Sequence, residues 1–402
     1  MDLILLAGFL AAILAAETAT LAFPLVTRIA MAIRAVDYPG GRRSQKEAIP
    51  RLGGVAIAMA IAAGAILPSL LLWRQWGDKV TPLDMAALLG GTTLVFLIGV
   101  GDDALGLSRI QRLLIQSIAA SVVVYAGWSF SHLYLPFWGS VSLGLFGGLV
   151  TTVWIVGVTN AINLLDGLDG LASGVAAIIA TSLLVFACIQ ANILMVIVTS
   201  AIVGACLGFL RHNWVPARIY MGDSGSLTLG FLLAVMSLHG SIKGAATVAI
   251  LVPMLALGLP VIDTLLVMAV RFVEKPQGSY VRRFARMFQA DRNHLHHLMA
   301  HVAPERKHIV LVIYFVAACF CGMALIVSVS RSAILGTVLV IVEILVVFLM
   351  RSVGVRHKAR AISLMQRQEI REEFFANRPA VPIPPNHQVI VTLVSSRSNR
   401  IS

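Results

Sequence analysis

The sequence predicts an all-α integral membrane protein, and three observations predict it. Hydrophobic residues make up 58% of the 402 residues and charged residues only 12%, with a mean hydropathy of +0.88. A soluble globular chain has no use for that much apolar surface. The apolar residues fall in runs near the ~20 residues that a helix needs to cross a bilayer. Those runs are continuous rather than alternating, which sets aside a membrane β-barrel.

Eleven runs qualify as spans: 3–33, 52–73, 84–100, 111–127, 143–160, 171–189, 191–210, 226–239, 245–271, 308–329 and 332–351. The first is long, with a tilt or kink expected near Pro24. It carries Asp2, no basic stretch and no small-residue cleavage site, so it reads as a retained helix. The eighth is short. Cys188, Cys206, Cys319 and Cys321 all lie inside apolar runs, without zinc or disulfide spacing. Residues 1–351 are expected to form the catalytic membrane domain. The tail 352–402 is expected to be helical over about 358–376, then extended or disordered after Arg378-Pro379, where prolines recur.

Charge sets the orientation. Loop 34–51 holds Arg34, Arg42, Arg43, Lys46 and Arg51, and loop 271–307 holds Arg271, Lys275, Arg282, Arg283, Arg286, Arg292, Arg306 and Lys307. Loops 128–142 and 190–191 have no Lys or Arg, and the other even-numbered loops hold only Arg74, Lys79, Lys243 and Arg331. The positive-inside rule places the N-terminus outside and the C-terminus in the cytoplasm of a multi-pass membrane protein. The net charge of +12 then belongs to cytoplasmic loops facing anionic membrane lipid, and not to nucleic-acid binding. Segment 278–299 reads as a basic amphipathic helix in the cytoplasmic interface: Tyr280, Val281, Phe284, Met287 and Phe288 form one face, and Arg282, Arg283 and Arg286 the other.

Three acidic clusters interrupt the apolar sequence, all on odd-numbered, cytoplasmic loops. A carboxylate at membrane depth is costly and marks a site. Asp102-Asp103 ends the third run. Adjacent carboxylates do not both ionise cheaply without a cation, so one suits Mg²⁺ and the other a base; either could instead cap a helix. Asn160, Asn163, Asp166 and Asp169 recur every three residues, a spacing that drifts around a regular helix. Gly167 and Gly170 predict that the helix ends near Asn163 and that the last carboxylates curl back into one pocket. Met221-Gly222-Asp223-Ser224-Gly225 precedes the eighth run, with Asp223 as a metal ligand and a helix N-terminus suited to phosphate, or as a plain N-cap. His294, His296 and His297, after Asp291-Arg292, suggest cationic or hydrogen-bonding contacts to a diphosphate, with a solvated surface helix as the alternative. Asp263 lies inside the ninth run, as a functional group or as the cap of a helix restarted after Pro260; Glu17 and Glu343 read as structural. The clusters together describe a metal-dependent site for a phosphorylated substrate. A transporter would also place carboxylates at helix ends, but no two-fold repeat is visible.

From about Asp37 to Met299, the motifs resemble those of the polyprenyl-phosphate N-acetylhexosamine-1-phosphate transferases (glycosyltransferase 4). The resemblance rests on Asp37-Tyr-Pro39 with Arg42-Arg43, and on Pro50-Arg-Leu-Gly53-Gly54. It continues in Gly101-Asp102-Asp103 with Arg112 and Gln116, and in Asn160 to Ala172. Asn213 with Pro216-Ala217, Met221-Gly222-Asp223, and Asp291-Arg-Asn-His294-Leu-His296-His297 complete it. The histidine motif is similar to the branch acting on UDP-N-acetylglucosamine, the WecA type, as is the count of spans. Two positions depart: the family often has Lys at Arg112, and commonly His at Gln45.

The resemblance implies transfer of N-acetylglucosamine 1-phosphate from a UDP-sugar to undecaprenyl phosphate, releasing UMP and starting a cell-envelope polysaccharide such as O-antigen. It implies the bacterial inner membrane, with the N-terminus in the periplasm, implies Mg²⁺, with Mn²⁺ as an alternative, and leaves a homodimer open. Asp102, Asp103, Asp166 and Asp169 are the implied catalytic residues, with Asp102 as base. Asp223 and Asp103 are the implied metal ligands. Asn160, Asn163, Gly167, Leu168, Asn213, Arg292, His294, His296 and His297 are the implied substrate contacts. A different UDP-N-acetyl sugar is the alternative substrate.

Overall fold

The computed structural model describes residues 2–38, 48–71, 80–135, 139–242, 250–274, 293–303 and 305–376. The chain opens with α1 (Asp2–Ala32), a short antiparallel pair β1 (Val36–Asp37) and β2 (Ile49–Pro50), and α2 (Gly53–Leu71). There follow α3 (Pro82–Leu105), α4 (Arg109–Tyr125) and a hairpin of β3 (His132–Leu135) and β4 (Gly139–Ser142). Then come α5 (Phe146–Leu165), α6 (Leu171–Ile189), α7 (Ile193–Asn213) and α8 (Gly222–Ile242). The last elements are α9 (Leu251–Ala256), α10 (Gly258–Glu274), α11 (Leu295–Met299), α12 (Arg306–Ser330) and α13 (Ala333–Ala376).

Among the described residues, eight helices are long and apolar enough to cross a membrane: α1, α2, α3, α5, α6, α7, α12 and α13. The protein is an all-α, multi-pass membrane protein. Helices α4, α8 and α9–α10 occupy the other three expected spans; α9 and α10 meet at Leu257.

Helix α8 explains why the eighth run looked short. It packs against α2, α3, α5, α6 and α7, and Ser224, Ser226, Thr228 and Ser237 are buried in it. A helix enclosed by protein tolerates small polar residues that a lipid-facing one does not, and those residues let neighbours approach closely. Its hydropathy therefore understates its burial.

Two further differences have physical causes. The tail helix expected over 358–376 is not separate: α13 runs unbroken from Ala333 to Ala376, because no proline interrupts residues 351–360. Residues Met1–Gly354 form one compact unit and Val355 begins a second, which is helical over 355–376 and mostly exposed over 355–369. The two hairpins were not expected. Their strands have two and four residues, too short to show an alternating pattern.

The α3–α4 corner positions the site. Gly106 ends α3 in the left-handed conformation, at φ 68°. Ser108 then caps α4 in a capping box with Gln111. The last turn of α3, with Asp102 and Asp103, thus stands beside the first turn of α4, with Arg112. Arg42, Arg43, Gln45, Lys46, most of segment 278–299, and the tail after 376 lie outside the described residues.

Candidate active site

The first turn of α8 is where the three acidic clusters meet. Asp103 reaches from the end of α3 to that helix N-terminus: its Oδ1 accepts the backbone N–H of Asp223 at 2.8 Å and its Oδ2 that of Ser224 at 2.9 Å. This is a cap supplied from another helix, and it favours negative charge there. Gly222, at φ +72°, makes the approach possible. A Cβ on it would stand 2.3 Å from the Arg51 carbonyl oxygen and 2.6 Å from Asp103 Oδ2.

Asp223 itself points into the cluster. Its Oδ1 accepts from Asn163 Nδ2, which also donates to Ser226 Oγ at 2.9 Å. Arg112 Nη1 bridges two carboxylates, at 2.7 Å from Asp102 Oδ2 and 3.3 Å from Asp223 Oδ2. Asp102 Oδ1 also accepts the Leu107 N–H at 2.6 Å. One guanidinium therefore ties the α3 aspartate to the α8 aspartate across the α3–α4 corner.

Helix α5 continues to Leu165, two residues past the expected end, and Asp166 follows as its C-cap. The turn that follows carries Asp166, Gly167, Leu168 and Asp169. Asp169 Oδ2 accepts the Ala217 N–H at 3.1 Å, which binds this turn to the α7–α8 loop. Among the described residues, Asp166 is the one aspartate of the five whose carboxylate makes neither a hydrogen bond nor an ion pair. Burial, then the carboxylates of Asp223, Asp103 and Asp169, push it up to about 7 against the opposing charge of Arg51. The cluster thus holds more negative charge than its own cations neutralise.

Several expected substrate contacts are engaged inside the protein. Asn160 Nδ2 donates to Gln116 Oε1 at 2.6 Å and to the Val156 carbonyl at 2.7 Å. Asn213 is buried; its Oδ1 accepts from Gly170 N at 3.0 Å and Ser173 Oγ at 3.1 Å, and its Nδ2 donates to the Ile219 carbonyl at 2.8 Å. Leu168 is half-buried against the core. Arg292 lies outside the described residues.

The histidines come to the same turn. A Cβ on Gly167 would stand 2.2 Å from His296 Nε2, so the imidazole lies directly on that glycine. His296 is buried, both of its ring nitrogens lack a hydrogen-bond partner among the described residues, and the His297 ring lies 4.1 Å away. Burial, and less so His297, push His296 down to about 3. It is therefore neutral at physiological pH, a hydrogen-bonding group rather than a cation. His294 turns instead to Asp263, with Nδ1 3.0 Å from Oδ2.

Sequence reasoning did not single out Arg112 or Ser226 as site residues. Arg112 had a signal: an arginine within an apolar run requires a partner. Ser226 had none, since its role follows from the packing of α5 on α8.

Among the described residues, no three His, Cys, Asp or Glu side chains converge closely enough to cage a metal alone. The donor set instead suits Mg²⁺, which binds through one or two carboxylates and completes its shell with water and substrate phosphate. Asp223 and Asp166 are the carboxylates best placed for it: Asp223 is shared among the three clusters, and the Asp166 carboxylate has no partner among the described residues.

The sequence model of the family described as "Glycosyl transferase family 4" matches residues 85–241. The chain is 34% identical over 327 residues to a probable undecaprenyl-phosphate N-acetylglucosaminyl 1-phosphate transferase of Bacillus subtilis, covering 81% of this chain and 86% of that protein. It is 33% identical over 312 residues to a decaprenyl-phosphate N-acetylglucosaminephosphotransferase of Mycobacterium leprae, covering 72% and 76%. It is 36% identical over 206 residues to a phospho-N-acetylmuramoyl-pentapeptide-transferase of Lactobacillus gasseri, covering 48% and 62%.

Proposed function

The chain belongs to glycosyl transferase family 4, and from that premise we propose that it transfers N-acetylglucosamine 1-phosphate from UDP-N-acetylglucosamine to undecaprenyl phosphate. It is a membrane-embedded phosphotransferase acting on a polyprenyl phosphate. The carbon number of the lipid, the identity of the sugar, and the start of a cell-envelope polysaccharide such as O-antigen are parts of the proposal. One observation carries it: carboxylates from three segments far apart in sequence meet at the first turn of α8, with negative charge that a cation and a phosphorylated substrate would balance.

In this reading an oxygen of the lipid phosphate attacks the β-phosphorus of the UDP-sugar. The bond from that phosphorus to the bridging oxygen breaks, and UMP leaves with the oxygen. One phosphoanhydride replaces another, so the exchange is near thermoneutral. Asp102, oriented by Arg112, accepts the proton of the lipid phosphate. Asp223 would hold Mg²⁺, with Asp103 or Asp166 in support; the cation supplies charge neutralisation on the diphosphate and the leaving group. Asn163, Asp166 and Asp169 face the uridine and diphosphate side. His296 and His297 hydrogen-bond the diphosphate or the sugar.

The test is purified protein with undecaprenyl phosphate, Mg²⁺ and a panel of UDP-sugars, read as UMP release and lipid-linked product. Product with UDP-N-acetylglucosamine above all others is expected. Turnover of another UDP-N-acetyl sugar in preference would reassign the substrate. No turnover with any of them would remove the reading.

A further inference from the structure

Helix α11 has five residues and no side-chain cap of its own. A helix that short does not hold itself in place, yet it carries His296 onto Gly167. Its anchor is elsewhere. Asp263 of α10 is 4% exposed, His294 4% and Arg351 of α13 7%. Asp263 Oδ1 accepts the Leu295 N–H at 3.0 Å, replacing the missing cap of α11. The same oxygen accepts from Arg351 Nη1 at 2.6 Å. Asp263 Oδ2 faces His294 Nδ1 at 3.0 Å; a carboxylate only accepts, so Nδ1 carries the proton. A second contact supports the first: a Cβ on Gly354 would stand 2.7 Å from Leu298 Cβ, so α13 also packs directly on α11.

We propose that Asp263 and Arg351 form a buried brace that positions the histidine helix against the Asp166–Asp169 turn. Both are positioning residues. Arg351 neutralises the carboxylate, the carboxylate fixes the first backbone N–H of α11 and the tautomer of His294, and His296 is held two residues further on. A helix held only by apolar packing could rotate or slide; three polar contacts on one buried carboxylate define one placement. The consequence for catalysis rests on the reading of the pocket as the UDP-sugar site.

The experiment uses the full chain in nanodiscs and pairs two readouts. The first is steady-state kinetics with UDP-N-acetylglucosamine and undecaprenyl phosphate. The second is the rate at which diethyl pyrocarbonate modifies His294 and His296, followed by mass spectrometry well below the melting temperature. Arg351→Gln should lower kcat/KM for the UDP-sugar by about tenfold or more, leave KM for the lipid within about threefold, and speed histidine modification by about fivefold or more. Arg351→Lys should recover most of both. Asp263→Asn/Arg351→Gln should be less impaired than Arg351→Gln, because it leaves no unpaired buried charge.

A stability loss with parent-like histidine modification and a parent-like KM for the UDP-sugar would overturn the brace. If Arg351→Gln does not fold, the double variant and Arg351→Lys decide by the same readouts, and parent-like histidine reactivity in the double variant overturns it. If the parent turns over no UDP-sugar, the functional reading falls, while the modification rates still decide the brace.

Discussion

The aspartate cluster at α8 and the carboxylate of Asp263 solve the same problem in opposite ways. Asp263 meets Arg351, His294 and a backbone N–H, so its charge is fully partnered. At α8, among the described residues, five aspartates share one guanidinium in contact, that of Arg112. The Asp166 carboxylate has no partner among the described residues, and burial beside the other carboxylates pushes it up to about 7. A satisfied buried carboxylate specifies structure. An unsatisfied cluster stores charge repulsion that a cation and substrate would relieve in the proposed function, and on that reading the difference separates scaffold from chemistry.

The largest expected effect is on Asp223. Asp223→Asn keeps the size and the Asn163 contact but removes the charge shared by the three clusters. Turnover should fall by about 10²-fold or more, with folding retained. Near-parent UMP release by Asp223→Asn at low Mg²⁺ would place the metal elsewhere.

Gly222→Ala tests the approach of α3 to α8. The left-handed φ and contacts at 2.3 Å and 2.6 Å should cost roughly 2–4 kcal/mol of stability. Activity should fall with it, as Asp103 is displaced from the helix N-terminus. A variant that melts like the parent would mean that the cap contributes little.

The cluster and the brace should respond differently to pH and to Mg²⁺. Asp166 is raised from 3.8 to about 7, so the folded protein holds a proton that the unfolded chain has lost. Cation-free stability should therefore fall as pH rises from about 4 to about 7, and level off above that. Mg²⁺ should offset this progressively over the same window, with about 2.7 kcal/mol expected at a hundredfold excess over Kd. Asp166→Asn should weaken the pH dependence without abolishing it, because its neighbouring carboxylates contribute in the same direction; Arg351→Lys should leave it unchanged. Melting temperatures across pH, with and without Mg²⁺, check both.

Much of the fold, and the acidic segments that the structure brings together at α8, were legible in the sequence, because a bilayer forces both to show. The apolar runs are long, and a carboxylate among them stands out. What was not legible depends on partners far apart in the chain. Asp103 and Asp223 were readable as ligands or caps, but not that one caps the other's helix across 120 positions. Arg351 was only the last residue of the eleventh run, 332–351, since nothing local distinguishes a buried arginine from a lipid-facing one. The burial of α8 was hidden by the serines and threonine that packing against α3 and α5 permits. Asp263 was legible as a residue in need of a partner, without a sign of which.

Asn213 carries the smallest expected effect and asks on which side of the comparison it belongs. The family resemblance implies a substrate contact. In the structure its amide joins Gly170 and Ser173 to Ile219, and so joins the Asp166–Asp169 turn to the loop that leads into α8. Asn213→Ala leaves a backbone N–H, a hydroxyl and a carbonyl without that partner, at a cost of roughly 1–3 kcal/mol. If Asn213 is scaffold, stability falls by that amount, while KM for UDP-N-acetylglucosamine changes by less than about threefold. The carboxylates of the candidate site are still held by Ala217, Arg112 and the α8 N-terminus. A tenfold rise in that KM, with melting unchanged, would move Asn213 into the substrate-binding set and extend the pocket beyond the carboxylate cluster.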